Sequence, residues 1–129
     1  MRKKNKLFPK PNLKKDCDEL WSKIVKYRAG NKSEYSGKNE SLNAHHIFGK
    51  SNYRLRYELD NGICLTKGEH FYIAHVQGKK HLVEKLVKKK LGKKRYQELE
   101  AMCSGIYKSF LPAIKIYLQN VVKKLEEKK

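Results

Sequence analysis

Residues 42–75 read LNAHHIFGKSNYRLRYELDNGICLTKGEHFYIAH, and this stretch decides the fold. Leu42–Ile47 is a candidate for a short strand, and Gly62–Thr66, which is rich in buried-type residues, predicts a second. The segment Phe48–Asn61 between them is rich in polar and turn residues and predicts a long loop. A helix is predicted over Lys67–Gln77. The centre of the chain is therefore expected to be strand, long loop, strand and helix.

Helices are predicted on both sides of this unit. Asp16–Ala29 carries apolar residues at helical spacing, and Gly30 follows as a C-terminal stop. The polar segment Asn31–Glu40 predicts a loop. Amphipathic patterns predict three more helices, at His81–Leu91, Arg95–Ser104 and Leu111–Glu127. The expected fold class is α+β, mostly helical overall, with a small core wrapped by flanking α-helices.

Charge divides the 129 residues into three expected segments. Residues 1–15 carry seven basic side chains and no acid, and are expected to form a flexible basic arm. Residues 16–78 are expected to form the core with its preceding helix, and from Leu42 to Gly78 the chain is nearly neutral and holds four of the five histidines. Residues 79–129 are expected to form a helical extension that packs on the core, and positions 79–95 carry nine basic side chains against one acid.

The excess of basic residues predicts a polyanionic partner. Lys and Arg number 31 against 13 acids, which gives a formal net charge of +18 and a pI near 9.9. A field of this sign favours nucleic acid first and an anionic membrane second, and solubility alone needs far less charge. The lysines of Lys79–Lys94 are expected to contact a DNA backbone, with a merely solvated face as the alternative.

Cysteine usage and hydropathy indicate which cellular compartment the protein occupies. The three cysteines, Cys17, Cys64 and Cys103, are odd in number and far apart, so they form neither a disulfide framework nor a CxxC zinc site. That pattern is typical of a reducing cytosol, and no apolar run approaches the length of a membrane span. We expect a cytoplasmic protein without a membrane partner.

Histidines carry the chemical signal. His45 and His46 lie on the first predicted strand and His70 at the start of the following helix, so the frame is expected to bring the pair opposite His70. Neutral imidazole binds divalent transition metals and is also the side chain best suited to general-base work near pH 7. Phosphodiester hydrolysis needs both a metal, to neutralise charge on the phosphate and leaving oxygen, and a base, to take a proton from the attacking water.

From about Leu20 to Val76 the sequence resembles the HNH endonucleases, whose shared core is the ββα-metal unit. The matching segments are LWSKIV from Leu20, LNAHHIFGKSN from Leu42, RLRYELDNGICL from Arg54 and GEHFYIAH from Gly68. They are most similar to the phage-associated, recombination-type HNH proteins. The resemblance implies a ββα-metal (HNH) core and a metal-dependent endodeoxyribonuclease. Such an enzyme would cleave or nick DNA in phage recombination or DNA processing within a bacterial host.

The same resemblance implies a role for each residue of the site. His45 and His70 correspond to metal ligands, and His46 corresponds to the general base. Asn61 corresponds to the residue that pins the long loop through backbone hydrogen bonds and helps to orient the base. The implied cofactor is one divalent ion, Mg²⁺ or Mn²⁺, although two histidine ligands would also accept Zn²⁺, Ni²⁺ or Co²⁺. No small-molecule cofactor is expected.

Two features of the sequence complicate the transfer of these roles. Adjacent strand residues point to opposite faces, so His45 and His46 reach one site only if the strand bends or ends there. Many HNH proteins also hold this hairpin with a zinc knuckle of two CxxC pairs. We expect no structural zinc here, and helix packing in its place, because the corresponding positions hold no cysteine. These positions are Ser33, Ser36, Thr66 and Glu69.

Three further residues are candidates for contact with DNA phosphate. Arg54 and Arg56 lie two apart in the long loop, so both face one side if the chain is extended there. The alternative is a solvated arginine or one paired with Glu58. His75 follows His70 by five residues and lies about 140° away around a helix. The alternative for His75 is a structural or surface role.

Two other functions stay open at this stage. One is a non-catalytic DNA-binding protein on a degenerate HNH fold, which predicts salt-sensitive DNA binding without metal-dependent cleavage. The other is a basic RNA-binding protein with incidental histidines, which predicts a preference for RNA and no affinity for metal. The complete set of His45, His46, Asn61 and His70 weighs against the first, whereas eight tyrosines leave the second available.

Overall fold

Most of the fold is helical. The computed structural model describes residues 12–49, 53–75, 80–104 and 110–128, except for the side chains at positions 53, 74, 75 and 80. The helices are α1 (Leu13–Arg28), α2 (Tyr53–Arg56), α3 (Lys67–His75), α4 (Lys80–Leu91), α5 (Lys93–Ala101) and α6 (Leu111–Glu127), and the strands are β1 (Leu42–His46) and β2 (Gly62–Thr66). Short 3₁₀ turns cover Leu59–Asn61 and Met102–Ser104. The α+β class predicted from the sequence is confirmed at this level.

The two strands pair antiparallel between two groups of helices. Their register runs from Leu42 opposite Thr66 to His46 opposite Gly62. Side chains alternate between the two faces along a strand. Every residue of β2 is buried, so β2 contributes to a core on each of its faces.

One core lies against α1 and α6, and the other lies against α3, α4 and α5. The first contains Cys17, Trp21, Ile24, Val25, Tyr57, Cys64 and Leu118. The second contains Ile63, Leu65, Ile73, Val83, Val87 and Tyr96. Cys64 thus faces one core, and its neighbours in the strand face the other, as the alternation requires.

The start of the first helix differs from the sequence-based expectation because capping decides it. α1 begins at Leu13 instead of Asp16, since the Asn12 side chain accepts a hydrogen bond from a backbone N–H three residues on, at 3.0 Å. Three residues of the expected basic arm are therefore helical. Residues 1–11 of that arm lie outside the described part of the chain, as does Gln77, the expected end of the third helix.

Other predicted bounds also shift by a few residues. The first strand ends at His46, one residue early. The helix expected over Arg95–Ser104 begins at Lys93, directly after Gly92, whose φ of +86° ends α4. The segment Phe48–Asn61, expected as a loop, contains α2 and a 3₁₀ turn, because polar and turn residues also form short helices. The second strand and the last helix have their predicted bounds.

Helix α6 joins the C-terminal part of the chain to α1. Leu118 is fully buried in the core that α1 shares, and Lys115 Nζ lies 3.1 Å from the Asp16 carboxylate. The Tyr27 hydroxyl donates to the Leu125 carbonyl at 3.1 Å. Within the described ranges, no helix has both the length and the apolar character that crossing a membrane requires.

Candidate active site

A cleft at the end of β1 brings the three predicted histidines together. His45, His46 and His70 all line this cleft, whose volume is about 720 Å³. Trp21 of α1 forms part of its wall, and Tyr96 of α5 forms another part. A volume of this size is in the range of ligand-binding sites.

His45 and His46 point to opposite faces of β1 yet share the cleft. His45 lies opposite Ile63 and His46 opposite Gly62 in the antiparallel register, and directly paired residues share a face. His45 therefore faces the α3 side of the sheet, while His46 faces α1. Because β1 ends at His46, both faces open into the same cleft. For both histidines to reach one site, the strand must bend or end at this pair, as the sequence indicated, and the strand does end there.

His45 and His70 form the candidate metal pair. Nδ1 of His45 lies 2.9 Å from Nε2 of His70, and the two rings meet at 62° with their centroids 4.4 Å apart. Two nitrogens bound at about 2.1 Å to one ion stand about 3 Å apart when they subtend a right angle at it. The separation therefore fits two adjacent ligands of one ion. Imidazole nitrogen is a donor that suits Zn²⁺ and Ni²⁺.

Burial keeps His45 in the form that binds a metal. Desolvation, together with smaller contributions from the neighbouring His70 and His46 rings, lowers the pKa of His45 to about 4. Neutral imidazole is the ligand form. In the part of the chain that the structure describes, no group of three or more His, Cys, Asp or Glu side chains is placed to hold an ion. An ion bound by this pair would take its other ligands from water or substrate.

Asn43 contacts the second ring nitrogen of His70. Its Nδ2 lies 3.4 Å from Nδ1 of His70, and it shares a face of β1 with His45, two residues away. A side-chain amide can present its donor or its acceptor after a flip. Asn43 is therefore placed to bond either tautomer of His70 and to hold the ring in one orientation.

His46 is held by two contacts. Its Nε2 lies 2.9 Å from the Arg56 carbonyl, and since a carbonyl only accepts, Nε2 carries the proton. The lone pair of the neutral ring is then on Nδ1. The ring also lies flat on the Trp21 indole, with centroids 3.9 Å apart and planes within 4° of parallel.

Asn61 is fully buried and bonds to the start and to the middle of the long loop. Its Nδ2 donates to the Leu55 carbonyl at 2.8 Å and to the Phe48 carbonyl at 3.3 Å, and its Oδ1 accepts from the Phe48 N–H at 2.9 Å. These bonds close the loop and hold α2, whose Arg56 carbonyl contacts His46. They are the contacts that the resemblance implied for a residue that pins the loop.

The three predicted phosphate contacts have different surroundings. Arg56 binds the Asp18 carboxylate through Nε at 2.7 Å and Nη2 at 2.6 Å, and its side chain is 12% exposed. Its partner is thus Asp18 and not Glu58, the alternative that the sequence offered. Arg54 is exposed. The side chain of His75 lies outside the described residues.

A second set of ion pairs braces the loop from the other side. Arg95 Nε lies 2.8 Å from the Asp60 carboxylate, and its Nη2 lies 3.0 Å from that of Glu58. Arg28 of α1 is 3.3 Å from Asp60. Burial acts to raise the pKa of Asp60, but the two arginines outweigh it and hold the pKa below its ordinary value. Charged side chains therefore tie the loop to both α5 and α1.

The four positions that correspond to a zinc knuckle form a hydrogen-bonded cluster. The Ser33 hydroxyl donates to Glu69 and accepts from the N–H groups of Tyr35 and Ser36, each at 3.1 Å. Thr66 Oγ1 accepts from the Glu69 N–H at 3.1 Å, and Glu69 Oε1 accepts from the Thr66 N–H at 3.0 Å. This reciprocal pair is a capping box at the start of α3.

Sequence reasoning did not connect several of these residues with the site. Asn43 could have been found from its position two residues before His45 on the same strand. Asp18 and Trp21 lie three residues apart and so share a helical face, but no local signal joins that face to His46. The capping box is visible in the sequence as Thr66 followed three residues later by a glutamate.

Comparison with known proteins yields no relative. No protein-family model matches the chain, and neither a curated protein nor a solved structure matches it. Function is therefore inferred from the residues of the cleft and their geometry.

Proposed function

We propose that this chain is a metal-dependent endonuclease of the HNH type that hydrolyses phosphodiester bonds in DNA. The observation that supports it best is the placement of three imidazoles at one cleft. His45 and His70 face each other at 2.9 Å, and His46 stands beside them with its proton on Nε2. A ligand pair next to a base meets both requirements of the reaction. The order strand, loop, strand and helix agrees with the ββα-metal unit that the sequence resembles.

Each of the four predicted site residues has a defined task in this proposal. A divalent ion held by His45 and His70 would supply positive charge beside the scissile phosphate and its leaving oxygen. His46 takes a proton from the attacking water through Nδ1. Its Nε2–H stays bonded to the Arg56 carbonyl, which stabilises the ring as it becomes charged. Asn61 keeps that carbonyl in place. The resemblance implies products with a 5′-phosphate and a 3′-hydroxyl.

Basic side chains on two helices that contribute to the cleft support DNA as the substrate. The formal net charge is +18, and α4 and α5 both contribute to the walls of the cleft. These two helices carry exposed lysines, namely Lys85, Lys89, Lys93 and Lys94. Such residues bind phosphates by releasing counterions, so affinity should fall steeply as salt rises. We propose phage DNA recombination or processing as the biological context of the enzyme, and only the resemblance in sequence supports this part of the proposal.

The decisive assay is the nicking of a supercoiled plasmid. Wild type and His46→Ala are compared with a matched control, His81→Ala, whose side chain is exposed on α4. Each protein is assayed with Mg²⁺, Mn²⁺, Zn²⁺ or Ni²⁺, and with EDTA. We expect cleavage to require metal, to fall at least about 100-fold in His46→Ala and to persist in His81→Ala.

Other outcomes would replace the proposal. If wild type binds DNA at low salt but cleaves none with any metal, the chain is a DNA-binding protein on the same fold. If it prefers RNA and gains nothing from metal, it is a basic RNA-binding protein. Cleavage that survives EDTA and also survives His46→Ala would remove these histidines from the reaction.

A further inference from the structure

Helix α1 presents Trp21 to the His46 ring, and it presents Asp18 to Arg56, whose carbonyl is bonded to His46. The two residues lie three apart, so they share a face of the helix, and both line the cleft. Trp21 contacts the His46 ring itself, whereas Asp18 contacts the side chain of Arg56. The histidine set and the loop-pinning Asn61 do not account for either residue.

Trp21 fixes the plane of the His46 ring. The two rings are parallel within 4° and their centroids are 3.9 Å apart. The indole cannot turn, because Trp21 is only 2% exposed and its Nε1 donates to the Glu58 carbonyl at 3.0 Å. An imidazole stacked flat on an immobile ring loses the freedom to rotate about its own χ2 torsion.

Asp18 fixes the carbonyl to which His46 is bonded. Its carboxylate accepts two hydrogen bonds from Arg56, one from Nε at 2.7 Å and one from Nη2 at 2.6 Å. Bidentate ion pairs of this kind hold both partners in one geometry. Burial acts to raise the pKa of Asp18, but hydrogen bonds from Arg56 and Tyr57 outweigh it and hold the pKa below its ordinary value. Asp18 therefore stays charged at neutral pH, and the Arg56 backbone is held with its side chain.

We propose that Asp18 and Trp21 are positioning residues that hold His46 in its working orientation, Trp21 through the ring stack and Asp18 through the Arg56 carbonyl. This inference rests on the proposed role of His46 as the general base. It also accounts for a carboxylate in a cleft that would receive a phosphodiester, because Arg56 neutralises Asp18. Arg56 then acts as a brace for the loop instead of the phosphate contact expected from the sequence.

The inference is tested with Asp18→Asn and Trp21→Leu, each beside a matched variant. Asp16→Asn is the control for Asp18, because Asp16 is on the same helix and pairs with Lys115 at 3.1 Å, and neither of these two lines the cleft. Trp21→Phe is the conservative partner of Trp21→Leu, since a phenyl ring can stack but cannot donate a hydrogen bond. Circular dichroism and urea unfolding establish the folded fraction of each variant.

Two readouts separate positioning from folding. One is kcat and KM for nicking, and the other is the NMR signals of the His46 ring, assigned with His46→Ala. We expect Asp18→Asn and Trp21→Leu to lower kcat by about 10- to 100-fold, with little change in KM or in Mn²⁺ affinity, and to shift the His46 signals. Trp21→Phe should regain most of kcat, and Asp16→Asn should match wild type in both readouts.

Each contrary result overturns a defined part of the inference. Equal kcat and equal His46 signals in Asp18→Asn and Asp16→Asn would remove the role of Asp18. Equal kcat in Trp21→Phe and Trp21→Leu would remove the role of the stack. If wild type cleaves no DNA, the proposed function fails, and the NMR signals alone decide whether Asp18 and Trp21 fix the ring. Unshifted signals in both variants would then overturn the inference.

Discussion

The two ends of the same strand pair carry polar side chains of similar kinds and use them in different ways. At the end where His46 lies opposite Gly62, the imidazoles line a cleft. At the Thr66 end, the side chains of Ser33, Thr66 and Glu69 bond to one another and to nearby backbone groups. One end is thus open to a ligand, and the other is closed by its own hydrogen bonds.

In the proposed function, one end of this small sheet serves the reaction and the other end mainly stabilises the fold. At the closed end Ser33 is 4% exposed and Thr66 is 8% exposed, and among the described side chains no buried nitrogen or oxygen lacks a partner. The closed end nevertheless serves the site, because it starts α3 and α3 carries His70. We therefore expect substitutions at the His46 end to change activity as well as stability, and those at the Thr66 end to change stability with little effect on activity.

Asn61→Ala should have the largest effect, because Asn61 belongs to the open end but is fully buried. Its removal leaves the Phe48 N–H and the Leu55 carbonyl without their side-chain partner, which should lower the free energy of unfolding by roughly 2–5 kcal/mol. The Arg56 carbonyl beside His46 is then no longer held, and the nicking rate should fall about 100-fold. Urea unfolding and initial nicking rates measure the two losses.

Hydrogen exchange separates two roles for Asn61. Asn120→Ala, at an exposed position of α6, is the control and should change neither stability nor rate. Faster exchange of the amides in residues 53–60, together with lost activity, supports a residue that pins the loop. Lost activity with unchanged exchange would contradict that role and give Asn61 a direct part in the chemistry.

Replacing one glycine by alanine at each end of the strand pair tests the comparison between the two ends. A Cβ at Gly62 would lie 2.5 Å from Val25 Cγ2 and 2.8 Å from Trp21 Cζ2. Because α1 must then move, Gly62→Ala should lower the free energy of unfolding by about 1–3 kcal/mol. A Cβ at Gly68, in the first turn of α3, would meet Thr66 Oγ1 at 3.9 Å. Gly68→Ala should therefore stabilise the helix by about 0.5–1 kcal/mol.

Changes of opposite sign in the free energy of unfolding of these two variants would support the comparison between the two ends. Gly62→Ala should also slow nicking, because the displaced Trp21 indole is the ring on which His46 stacks. Thermal unfolding of both variants, followed by nicking assays, gives the two quantities. If Gly62→Ala is as stable and as active as wild type, α1 does not need its close approach to β2.

The elements of the core could be predicted from the sequence because their signals are local. The strand Gly62–Thr66 and the helix Leu111–Glu127 have the bounds predicted for them, since a bounded apolar run and an apolar stripe at helical spacing depend only on nearby residues. The start of α1 was harder to place, because its cap depends on one side chain, that of Asn12.

The contacts that orient His46 could not be predicted, because they join residues far apart in the chain. Helical spacing shows that Asp18 and Trp21 share a face, but it does not show which group that face meets. From the sequence, Trp21 is therefore only one of the apolar residues at helical spacing in the first helix. Arg56 is either a phosphate contact or an arginine that is solvated or paired with Glu58. The pair of Asp18 with Arg56 spans 38 residues and requires the tertiary structure.

Ser33→Ala tests the closed end directly. The Ser33 hydroxyl bonds to Glu69 and to two backbone N–H groups in a nearly solvent-free position. Its loss should lower the free energy of unfolding by about 1–2 kcal/mol, while the nicking rate of the folded protein changes little. Ser104→Ala removes an exposed hydroxyl bonded to the Ala101 carbonyl and is the control. A larger loss of nicking than of stability would mean that the two ends are not separate.

The smallest expected effect is the acid dependence of stability at the closed end. Burial acts to raise the pKa of Glu69, but hydrogen bonds from Ser33, Ser36 and the Thr66 backbone outweigh it and hold the pKa below its ordinary value. A carboxyl group whose pKa is lower in the folded than in the unfolded chain stabilises the fold at neutral pH, and that contribution is lost as the pH falls. Wild type should therefore lose stability below about pH 5.

Glu69→Gln should be less stable than wild type at neutral pH and should lose less stability on acidification, which urea midpoints at a series of pH values measure. At the open end, Asp18 and Asp60 also have lowered pKa values, because their bonds to Arg56 and Arg95 outweigh burial. Asp18→Asn should therefore remove a different part of the acid dependence. If Glu69→Gln and wild type lose stability equally with acid, the cluster does not hold the Glu69 carboxylate. The Thr66 end would then lack the closed set of bonds that distinguishes it from the His46 end.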